Sequence, residues 1–451
     1  MDIIIAGGGK IGITLCQQLA AEGHNLTIID QNDRVLETAV ERYDAIAVRG
    51  NCASKETLER AGIDDAELVI AATGADELNL LCCMTAHGMN PRVHTIARIR
   101  NPEYAEQVAT MPDIFPLSLT VNPEKQAALE IEHLLKFPGF LGRDTFAKGR
   151  AEIVELRVDA GSKLCNVSLI EMSNVVKCRV LVCAVLRAGK AIAPRGKFVL
   201  QEGDRVFVTA STADLTTLLK NLGIITRRVR NVLICGGGRI SYYLAKLLEH
   251  DKISVQILEK NYDHCVALAA QLPQASVIHG DCSSHATLEA QGISSCNAVI
   301  TLTGTDETNM VVSLYAGSRG VPQIITKLSR GENISIADAM SLGSIVVPRE
   351  LCSNNIVRYV RAMENQVGAA VSVHAIADGQ AEAVEFLVDS ATKFRNTPLK
   401  QIKLKPNVLI ASITRGVTTH IPNGDSVFTE GDTVVVVTSG GVLHRINDIF
   451  A

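Results

Sequence analysis

The sequence is poor in the residue types on which several classes of protein depend. Its 451 residues contain no Trp, and aromatic residues make up only 4%, so a surface that stacks the bases of single-stranded nucleic acid is not expected. A nucleic-acid binder usually carries a basic excess, whereas 44 Lys and Arg stand against 48 Asp and Glu here. The twelve Cys include no Cys-x-x-Cys pair, which argues against a zinc site and for small buried hydrophobic residues.

Long apolar runs are missing as well. The longest, such as VLVCAVL and TVVVVT, are far shorter than the roughly 18 residues that a membrane-spanning helix needs. The first residues, MDIIIAGGG, lack the basic and apolar regions of a secretory signal. A chain of this length is expected to hold about three or four domains, and we expect them to be cytoplasmic.

What the sequence does contain is an internal repeat. The segment IIIAGGGKIGITLCQQLA returns as VLICGGGRISYYLAKLLE, with Gly236 standing 229 residues beyond Gly7. The block AATGADELNLL returns as TLTGTDETNMV at an offset of 230, and Gly203 returns as Gly431 at an offset of 228. Solenoid units span about 20–50 residues, so an offset this long indicates a duplicated two-domain module.

Each half begins with short apolar strands separated by amphipathic helices, which predicts a doubly wound parallel sheet of the Rossmann type. Asn122 and Pro123 predict the start of a further helix. Strand-rich segments then predict a small α+β domain, ending in a helix over LTTLLKNLG in the first half and over VLHRINDIF in the second. The predicted class is α/β, a duplicated module. The expected domains are two Rossmann-type domains, 1–140 and 230–365, and two small α+β domains, 141–225 and 366–451.

A glycine-rich pattern, Gly7-x-Gly9-x-x-Gly12, joins the first strand to the first helix. Gly7 permits a tight turn, Gly9 removes a side chain where a phosphate must approach, and Gly12 lets the helix pack close to the strand. The helix N-terminus then offers free N–H groups to phosphates. Asp30 can accept hydrogen bonds from ribose hydroxyls and would repel a 2′-phosphate, so NAD or an adenine nucleotide is favoured over NADP. A glycine-rich turn without a ligand is the alternative.

The second copy departs from this pattern. Gly236 and Gly238 remain, but Ser241 stands at the third glycine position and Glu259 at the acidic one. Because Ser is small and Glu is only one methylene longer than Asp, we expect a second nucleotide site. The alternative is a degenerate copy kept as scaffold.

Other candidate contacts lie where strands end at the carboxyl edge, at which ligands bind in open α/β sheets. Thr73 and Gly74 end the fourth strand. Arg98 ends the next one and could hold phosphates, or lie in solvent or at an interface. Asn51 and Cys52 follow the third strand near the expected adenine end, where a ligand contact and a simple turn are equally favoured. The matching residues of the second copy are Asp281, Cys282, Thr303, Gly304 and Lys327.

No catalytic arrangement accompanies these folds. A dehydrogenase needs a general acid or base and a substrate pocket, and no His, Lys or Tyr stands in a recognisable arrangement. The acidic residues Asp76 and Asp306 are expected to cap the helices that follow. Two nucleotide folds without catalytic residues indicate a sensor. The alternatives are a two-lobed NAD-dependent oxidoreductase and a structural assembly factor whose nucleotide folds are vestigial.

The array GGGKIG, LTIID, VRGN, AATGADELN and QEGDRVFV resembles the RCK (KTN) regulatory domains of potassium channels and transporters. The resemblance covers essentially the whole chain, and with the duplication it implies the cytosolic regulatory subunit of a bacterial Trk potassium uptake system, peripheral on the inner membrane. It also implies a homo-oligomeric ring, expected to be a tetramer, that docks on a membrane-embedded potassium-conducting subunit and gates it. The ligands implied are NAD or NADH and ATP or ADP.

The resemblance also implies ligand contacts residue by residue. In the first copy these are Gly7, Gly8, Gly9, Lys10, Ile11, Asp30, Thr73, Gly74 and Arg98. In the second copy they are Gly236, Gly237, Gly238, Arg239, Ile240, Glu259, Asp281 and Thr303. Asn51 stands where many members have Asp, and Ser241 where many have Gly, which leaves the affinity of each site and the ligand of the second open.

Overall fold

The structure is a computed structural model that describes residues 1–111, 114–137, 140–223, 229–330, 333–340, 342–363, 370–377, 379–441, 443 and 445–451. In these residues each half holds a six-stranded parallel sheet followed by a five-stranded antiparallel sheet, so the predicted duplicated α/β class is confirmed. The domain limits expected near residues 225 and 365 lie outside the described residues. No helix in the described part of the chain is long and apolar enough to cross a membrane.

The first sheet and its helices are β1 (Asp2–Ala6), α1 (Lys10–Ala21), β2 (Asn25–Asp30), α2 (Asp33–Tyr43), β3 (Ile46–Arg49), α3 (Lys55–Arg60), β4 (Leu68–Ala71), α4 (Asp76–Met89), β5 (His94–Arg98), α5 (Pro102–Thr110), β6 (Leu119–Val121) and α6 (Pro123–Lys136). The strand order β3-β2-β1-β4-β5-β6 is that of a doubly wound fold. β1 is apolar and buried after its first residue, since helices cover both faces of the sheet. The predicted start of α6 is confirmed, because the Asn122 side chain accepts a 2.8 Å hydrogen bond from the N–H of Lys125.

The antiparallel sheet that follows contains β7 (Phe140–Phe146), β8 (Ala151–Arg157), α7 (Met172–Val176), β9 (Leu181–Arg187), β10 (Lys190–Ile192), β11 (Arg205–Thr209) and α8 (Thr212–Leu222). Its strand order is β10-β9-β11-β8-β7. The sequence predicts β8, β9, β11 and α8, whereas the edge strands β7 and β10 are found only in the structure.

The second half repeats both sheets with the same strand orders. Its parallel sheet and helices are β12 (Asn231–Cys235), α9 (Arg239–His250), β13 (Ser254–Glu259), α10 (Tyr262–Gln271), β14 (Ser276–His279), α11 (His285–Ala290), β15 (Ala298–Thr301), α12 (Asp306–Ser318), β16 (Gln323–Lys327), α13 (Ile334–Ala339), β17 (Ser344–Val346) and α14 (Pro348–Met363). Its antiparallel strands are β18 (Ala370–Ile376), β19 (Ala381–Leu387), β20 (Val408–Arg415), β21 (Thr418–His420) and β22 (Thr433–Thr438).

The helix predicted over the last residues is wrong. In the described part of residues 442–450 the chain forms only a short 3-10 helix, Ile446–Ile449; residues 442 and 444 lie outside the described residues. The chain end instead pairs with the segment before β20. Leu404 and Phe450 form an antiparallel bridge, and the N–H of Lys405 donates to the carbonyl oxygen of Ile449 at 2.9 Å.

The two halves interlock through their helices. α6 packs against α9, and α14 packs against α1. Ile131 of α6 shares a buried core with Leu244 of α9, and Ile356 of α14 shares another with Leu15 of α1. Since α1 and α9 begin at the two glycine-rich turns, each turn leads into a helix that the opposite half supports.

Two titratable side chains of α6, the buried His133 and the half-buried Glu130, have opposite effects on how stability depends on pH. Burial lowers the pKa of His133 to about 3 and raises the pKa of Glu130 to about 7. Neutral His133 therefore stabilises the fold above its ordinary pKa of 6.5, and this stability is lost as the pH falls. Neutral Glu130 stabilises the fold below its ordinary pKa of 4.5, and this stability is lost as the pH rises through about 7.

We expect His133→Gln and Glu130→Gln to change the pH dependence of the free energy of unfolding in opposite directions. Relative to the unmodified chain, His133→Gln gains stability as the pH falls from about 6.5 to 4, and Glu130→Gln gains stability as the pH rises from about 4.5 to 7. Each slope reaches at most about 1.4 kcal/mol per pH unit, the value for one proton. Urea denaturation over this pH range measures both slopes, and parallel slopes in the two variants would contradict the assignment.

Candidate functional site

The first glycine-rich turn is shaped by close contacts within its own fold. Gly7 has φ +97°, and a Cβ at this position would lie 2.9 Å from the backbone of Thr73. A Cβ on Gly12 would lie 1.9 Å from the carbonyl oxygen of Gly7, so α1 can pack this close to β1 only without a side chain here. Both positions are therefore glycine for the reasons that the spacing predicts.

Gly9 is free of such contacts. It precedes α1 with φ −65°, and a Cβ there would meet no atom within 4 Å. No side chain caps this helix end, and its first turn holds no acidic residue. Gly238 before α9 has the same open surroundings and the same uncapped helix. Both helix N-termini thus present N–H groups and a positive dipole end to open space, which favours an anion.

The acidic residues at the ends of β2 and β13 brace the two turns. The Asp30 carboxylate accepts hydrogen bonds from the N–H groups of Gly8 at 2.7 Å and Asn32 at 2.8 Å. Glu259 accepts the same pair of bonds from the matching N–H groups, also at 2.7 and 2.8 Å. Each carboxylate oxygen keeps a second lone pair for a ligand. The sequence predicts only the ribose contact, because a bond to a backbone N–H has no residue signature.

On the other side of β1, the loop after β4 is tied to the end of β5. Asn79 Oδ1 accepts hydrogen bonds from the N–H of Thr73 at 2.8 Å and from its hydroxyl at 2.7 Å, and Asn79 Nδ2 donates to the Arg98 carbonyl at 2.8 Å. The Arg98 guanidinium donates in turn to the carbonyl oxygen of Thr73. Burial lowers the pKa of Arg98, so a nearby anion would stabilise this partly desolvated cation.

The second copy repeats this network with lysine in place of arginine. Asn309 Oδ1 accepts hydrogen bonds from the N–H of Thr303 at 2.9 Å and from its hydroxyl at 2.7 Å, and Asn309 Nδ2 donates to the Lys327 carbonyl at 3.0 Å. Lys327 Nζ donates to the Thr303 carbonyl at 2.6 Å, and burial lowers its pKa. Each half therefore brings its Thr and its basic residue together at the carboxyl edge of the sheet.

Asp76 and Asp306 do not cap the helices that they begin, which corrects the prediction. The residue before each occupies the cap position, without a side-chain hydrogen bond. Asp76 instead accepts hydrogen bonds from the backbone N–H groups of Arg100 at 2.8 Å and Asn101 at 2.7 Å, and Asp306 binds the matching loop after β16. The two buried carboxylates thus hold the loops that follow Arg98 and Lys327.

The loops after β3 and β14 expose only part of their residues. Asn51 is exposed. Asp281 forms an ion pair with Lys260 at 3.0 Å, and hydrogen bonds within its loop, with this ion pair, lower its pKa to about 2. The next residues, Cys52 and Cys282, are buried in the cores beneath the loops.

The first turns of α1 and α9 hold the remaining candidates, which are Lys10, Ile11, Arg239 and Ile240. The two basic residues are exposed, and the two isoleucines are buried. Ser241, at the third glycine position of the second copy, is fully buried, and its hydroxyl donates to the carbonyl oxygen of Gly236 at 2.5 Å. The hydroxyl thus bridges helix and turn at the point where Gly12 allows direct approach.

The two candidate sites meet across the interface between the halves. The carbonyl oxygen of Arg100 accepts a 3.0 Å hydrogen bond from the hydroxyl of Tyr243. Asn122 Nδ2 donates to the same hydroxyl at 3.0 Å. Because Tyr243 lies in the first turns of α9, a loop of the first site touches the helix of the second.

Glu124 lies among the basic residues of both sites. Its charge acts on Arg98 and on Lys327, and Lys10 also faces Lys327. Glu124 Oε2 is buried, without a hydrogen-bond partner among the described residues. The sequence does not predict that Glu124 lies near these basic residues, because they are far apart in the chain and come together only through the packing of the two halves.

Two domain families match the chain, and their matches alternate along it as the parallel and antiparallel sheets do. The TrkA-N domain family matches residues 3–112 and 232–348, and the TrkA-C domain family matches residues 153–223 and 383–451. The Trk system potassium uptake protein TrkA of Vibrio alginolyticus is 29% identical over 97% of this chain and 95% of its own length. The Trk system potassium uptake protein TrkA homolog of Archaeoglobus fulgidus is 30% identical over 100% of both chains.

Solved structures share the fold. The GsuK RCK domain has a TM-score of 0.63 and 18% identity, covering 97% of this chain and 92% of that one. The GsuK channel bound to NAD has a TM-score of 0.61 and 18% identity, covering 97% of this chain and 76% of that one. At this level of identity the likeness establishes the duplicated architecture.

Proposed function

The chain belongs to the TrkA family, and on this premise we propose that it is the regulatory subunit of a Trk potassium uptake system. It binds NAD or NADH and ATP or ADP at its two glycine-rich turns, and binding changes the shape of a ring of these chains. The ring docks from the cytoplasm on the membrane-embedded potassium-conducting subunit and gates it. Its role is regulatory rather than catalytic.

One observation carries the proposal. Each half presents an open, uncapped helix N-terminus, at Gly9 and at Gly238, next to a turn that a carboxylate braces. Phosphates fit the helix end, and the remaining lone pairs of the carboxylate fit a ribose. The names of the relatives add support, since the curated relatives are potassium uptake proteins and GsuK is a channel that binds NAD.

Charge decides which nucleotides fit. The Asp30 carboxylate would repel a 2′-phosphate, so NADP is excluded from the first site. Arg98 lies across the sheet edge from it and attracts terminal phosphates, so ATP and ADP place different charge beside its guanidinium. A ligand shifts a conformational equilibrium only if it binds one of the two states more tightly than the other. The different charges of ATP and ADP beside Arg98 would give the two nucleotides different preferences between these states.

The contacts at the interface give the signal a route between the halves. A phosphate at Arg98 would draw the guanidinium away from the carbonyl oxygen of Thr73, to which it now donates. The loop that follows Arg98 carries the Arg100 carbonyl, which holds Tyr243 of α9. Occupancy of the first site thereby reaches the helix that starts at the second.

Exposed apolar residues at repeated positions support the ring. Leu81 and Met84 on α4 are 53% and 37% exposed, and Val311 and Leu314, at the corresponding positions of α12, are 56% and 39% exposed. Apolar residues that recur on the same helix in both halves suit a contact with further copies of the chain. We expect the ring to be a tetramer, which the mass of the assembly in solution tests.

Replacing Gly9 with Ala tests the proposed nucleotide site. The methyl group would enter open space, so the melting temperature is unchanged, while ATP and NADH bind at least about tenfold more weakly, a loss of about 1.4 kcal/mol. Calorimetry measures this affinity, and potassium flux through the reconstituted complex reports its effect on gating. The unmodified chain is expected to bind two equivalents, with ATP and NADH in competition and NADP excluded.

Two further variants control this test. Gly238→Ala should weaken only the second equivalent. Gly161→Ala should weaken neither, because it adds a methyl group to an equally open position in a turn of the first small domain. If Gly9→Ala and Gly238→Ala both bind nucleotide as the unmodified chain does, the proposed sites are wrong.

A further inference from the structure

Two aromatic rings lie beside the acidic residue of the second candidate site. Tyr262 is the first residue of α10, three positions beyond Glu259, and His279 is the last residue of β14. The ring centroids of Tyr262 and His279 are 5.5 Å apart and the ring planes stand at 77°, an edge-to-face contact. Tyr262 is 64% exposed, so much of its surface is open to a ligand.

Hydrogen bonds hold this pair close to Glu259. Glu259 Oε1 accepts the N–H of Asn261 at 2.8 Å, and the Asn261 side chain accepts the N–H of His264 at 2.9 Å, so α10 begins directly beside the carboxylate. His279 Nε2 donates to the carbonyl oxygen of Lys260 at 3.0 Å. His279 also lies opposite Glu259 in the parallel register of β13 and β14, which puts both side chains on the same face of the sheet.

The first copy has charged residues at these two positions. Asp33 occupies the position of Tyr262 at an offset of 229, and lies in the first turn of α2. Arg49 occupies the position of His279 at an offset of 230, and lies opposite Asp30 in register. Arg49 Nη1 is 3.3 Å from Asp33 Oδ2. An ion pair in the first half therefore stands where the second half has an aromatic pair.

The strand order indicates where the base of a nucleotide would lie. β13 lies between β12 and β14. The second glycine-rich turn follows β12, so phosphates bound at this turn lie on one side of Glu259. With the ribose at Glu259, the base extends in the opposite direction, over the ends of β13 and β14. Tyr262 and His279 lie at these ends.

We propose that Tyr262, packed against His279, stacks on the adenine of a nucleotide at the second site. Stacking on an aromatic ring adds to affinity without desolvating a charge. A base placed on the ion pair of Asp33 and Arg49 would instead have to displace water from two charged groups. The second site thus depends on the base more strongly than the first. This inference rests on the proposed function, because it requires a nucleotide with its ribose at Glu259.

Calorimetry tests the stacking in a chain that carries Gly9→Ala, so that the second site dominates the binding. Adding Tyr262→Ala should raise the dissociation constant for ATP at least about fivefold, the lower end of what stacking of a base on an aromatic side chain contributes. Tyr262→Phe should restore the affinity, because phenylalanine keeps the ring. In a chain that carries Gly238→Ala, the matched control Asp33→Ala should leave the first site unchanged.

The outcomes separate the two proposals. If the chain with Gly9→Ala binds ATP at the second site and Tyr262→Ala binds it equally well, the stacking is overturned. If neither site of the unmodified chain binds a nucleotide, the proposed function is overturned instead.

Fluorescence reports the stacking directly, since the chain contains no Trp. Tyr262→Trp places a single indole beside His279, and ATP should quench its emission. Inorganic triphosphate, which has no base, should not quench it. The quenching should persist with Gly9→Ala and disappear with Gly238→Ala. Equal quenching by ATP and triphosphate, or ATP binding without quenching, would overturn the stacking.

Tyr315 supplies a matched control for the fluorescence experiment. It also packs against a histidine, His285, with ring centroids 4.1 Å apart. It lies in the third turn of α12, about 13 Å along the helix from its start at the carboxyl edge of the sheet. Tyr315→Trp should therefore show no quenching by ATP. Equal quenching at both positions would show that ATP quenches an exposed indole without stacking at the second site, which would overturn the inference.

Discussion

Replacing Asp30 with Asn is expected to weaken the binding of ATP and NADH at the proposed first site by about 10- to 100-fold, since a hydrogen bond to a charged group contributes about 1.5–3 kcal/mol. The carboxylate accepts the N–H groups of Gly8 and Asn32 on its two oxygens. Asn has a single side-chain oxygen, so its NH₂ group would face one of these donors. The turn would lose one of these two hydrogen bonds, and the ribose would lose a charged acceptor.

Variants of neighbouring and matching acids control this result. Asp33→Asn should leave the affinity unchanged, because this exposed residue pairs with Arg49 at 3.3 Å. Glu259→Gln should weaken only the second site. Removing the charge of Asp30 should also allow NADP to bind, since the repulsion of its 2′-phosphate is gone. Affinities for ATP, NADH and NADP that all equal those of the unmodified chain would contradict both roles of Asp30.

The largest loss of stability is expected from Gly12→Val. Its Cβ alone would lie 1.9 Å from the carbonyl oxygen of Gly7, a backbone atom that cannot rotate away. α1 must then separate from β1, which opens the packing of Leu15 and Leu19, both fully buried. Overpacking alone costs about 1–3 kcal/mol, and with the support of α14 on α1 disturbed as well we expect about 3 kcal/mol or more.

Urea denaturation followed by circular dichroism measures this loss. The matching change in the second half is Ser241→Gly, which removes one hydrogen bond to Gly236 and should cost only about 1 kcal/mol. Gly12→Ser tests whether the first turn can adopt the arrangement of the second. A Gly12→Val chain with unchanged free energy of unfolding would show that α1 is not held against β1 as described.

The sequence predicts those parts of the fold whose signals are local. Asn122 and Pro123 mark the start of α6 because a side-chain cap and a fixed φ act within one turn. β6 is missed because its three residues are too few to show a periodicity. The helix predicted at the chain end fails because the last residues pair with the distant segment at Leu404 and Lys405.

In the candidate site, too, the sequence identifies residues with a local requirement and misses contacts between distant segments. Gly7, Gly12 and Asp30 can be identified because turn geometry, close packing and charge each require a particular residue type. The contact between Tyr243 and the carbonyl oxygen of Arg100 cannot be identified, because every residue offers a carbonyl oxygen and the two lie in different halves. Asp76 looks like a cap because its position next to a helix start is visible, whereas the loop N–H groups it binds are not.

Among the residues that the structure describes, the hydrogen bond between Asn122 and Tyr243 has no counterpart in the other half of the repeat. The repeat places Val347 and Thr14 at the matching positions. The valine side chain has no donor, and the Thr14 hydroxyl donates to the carbonyl oxygen of Lys10 within its own helix. In a dimer of identical chains, any substitution appears on both sides of the axis at once. Joining the two copies in one polypeptide removes that constraint, so each side can mutate singly. A substitution can therefore change one candidate site while the other keeps its residues.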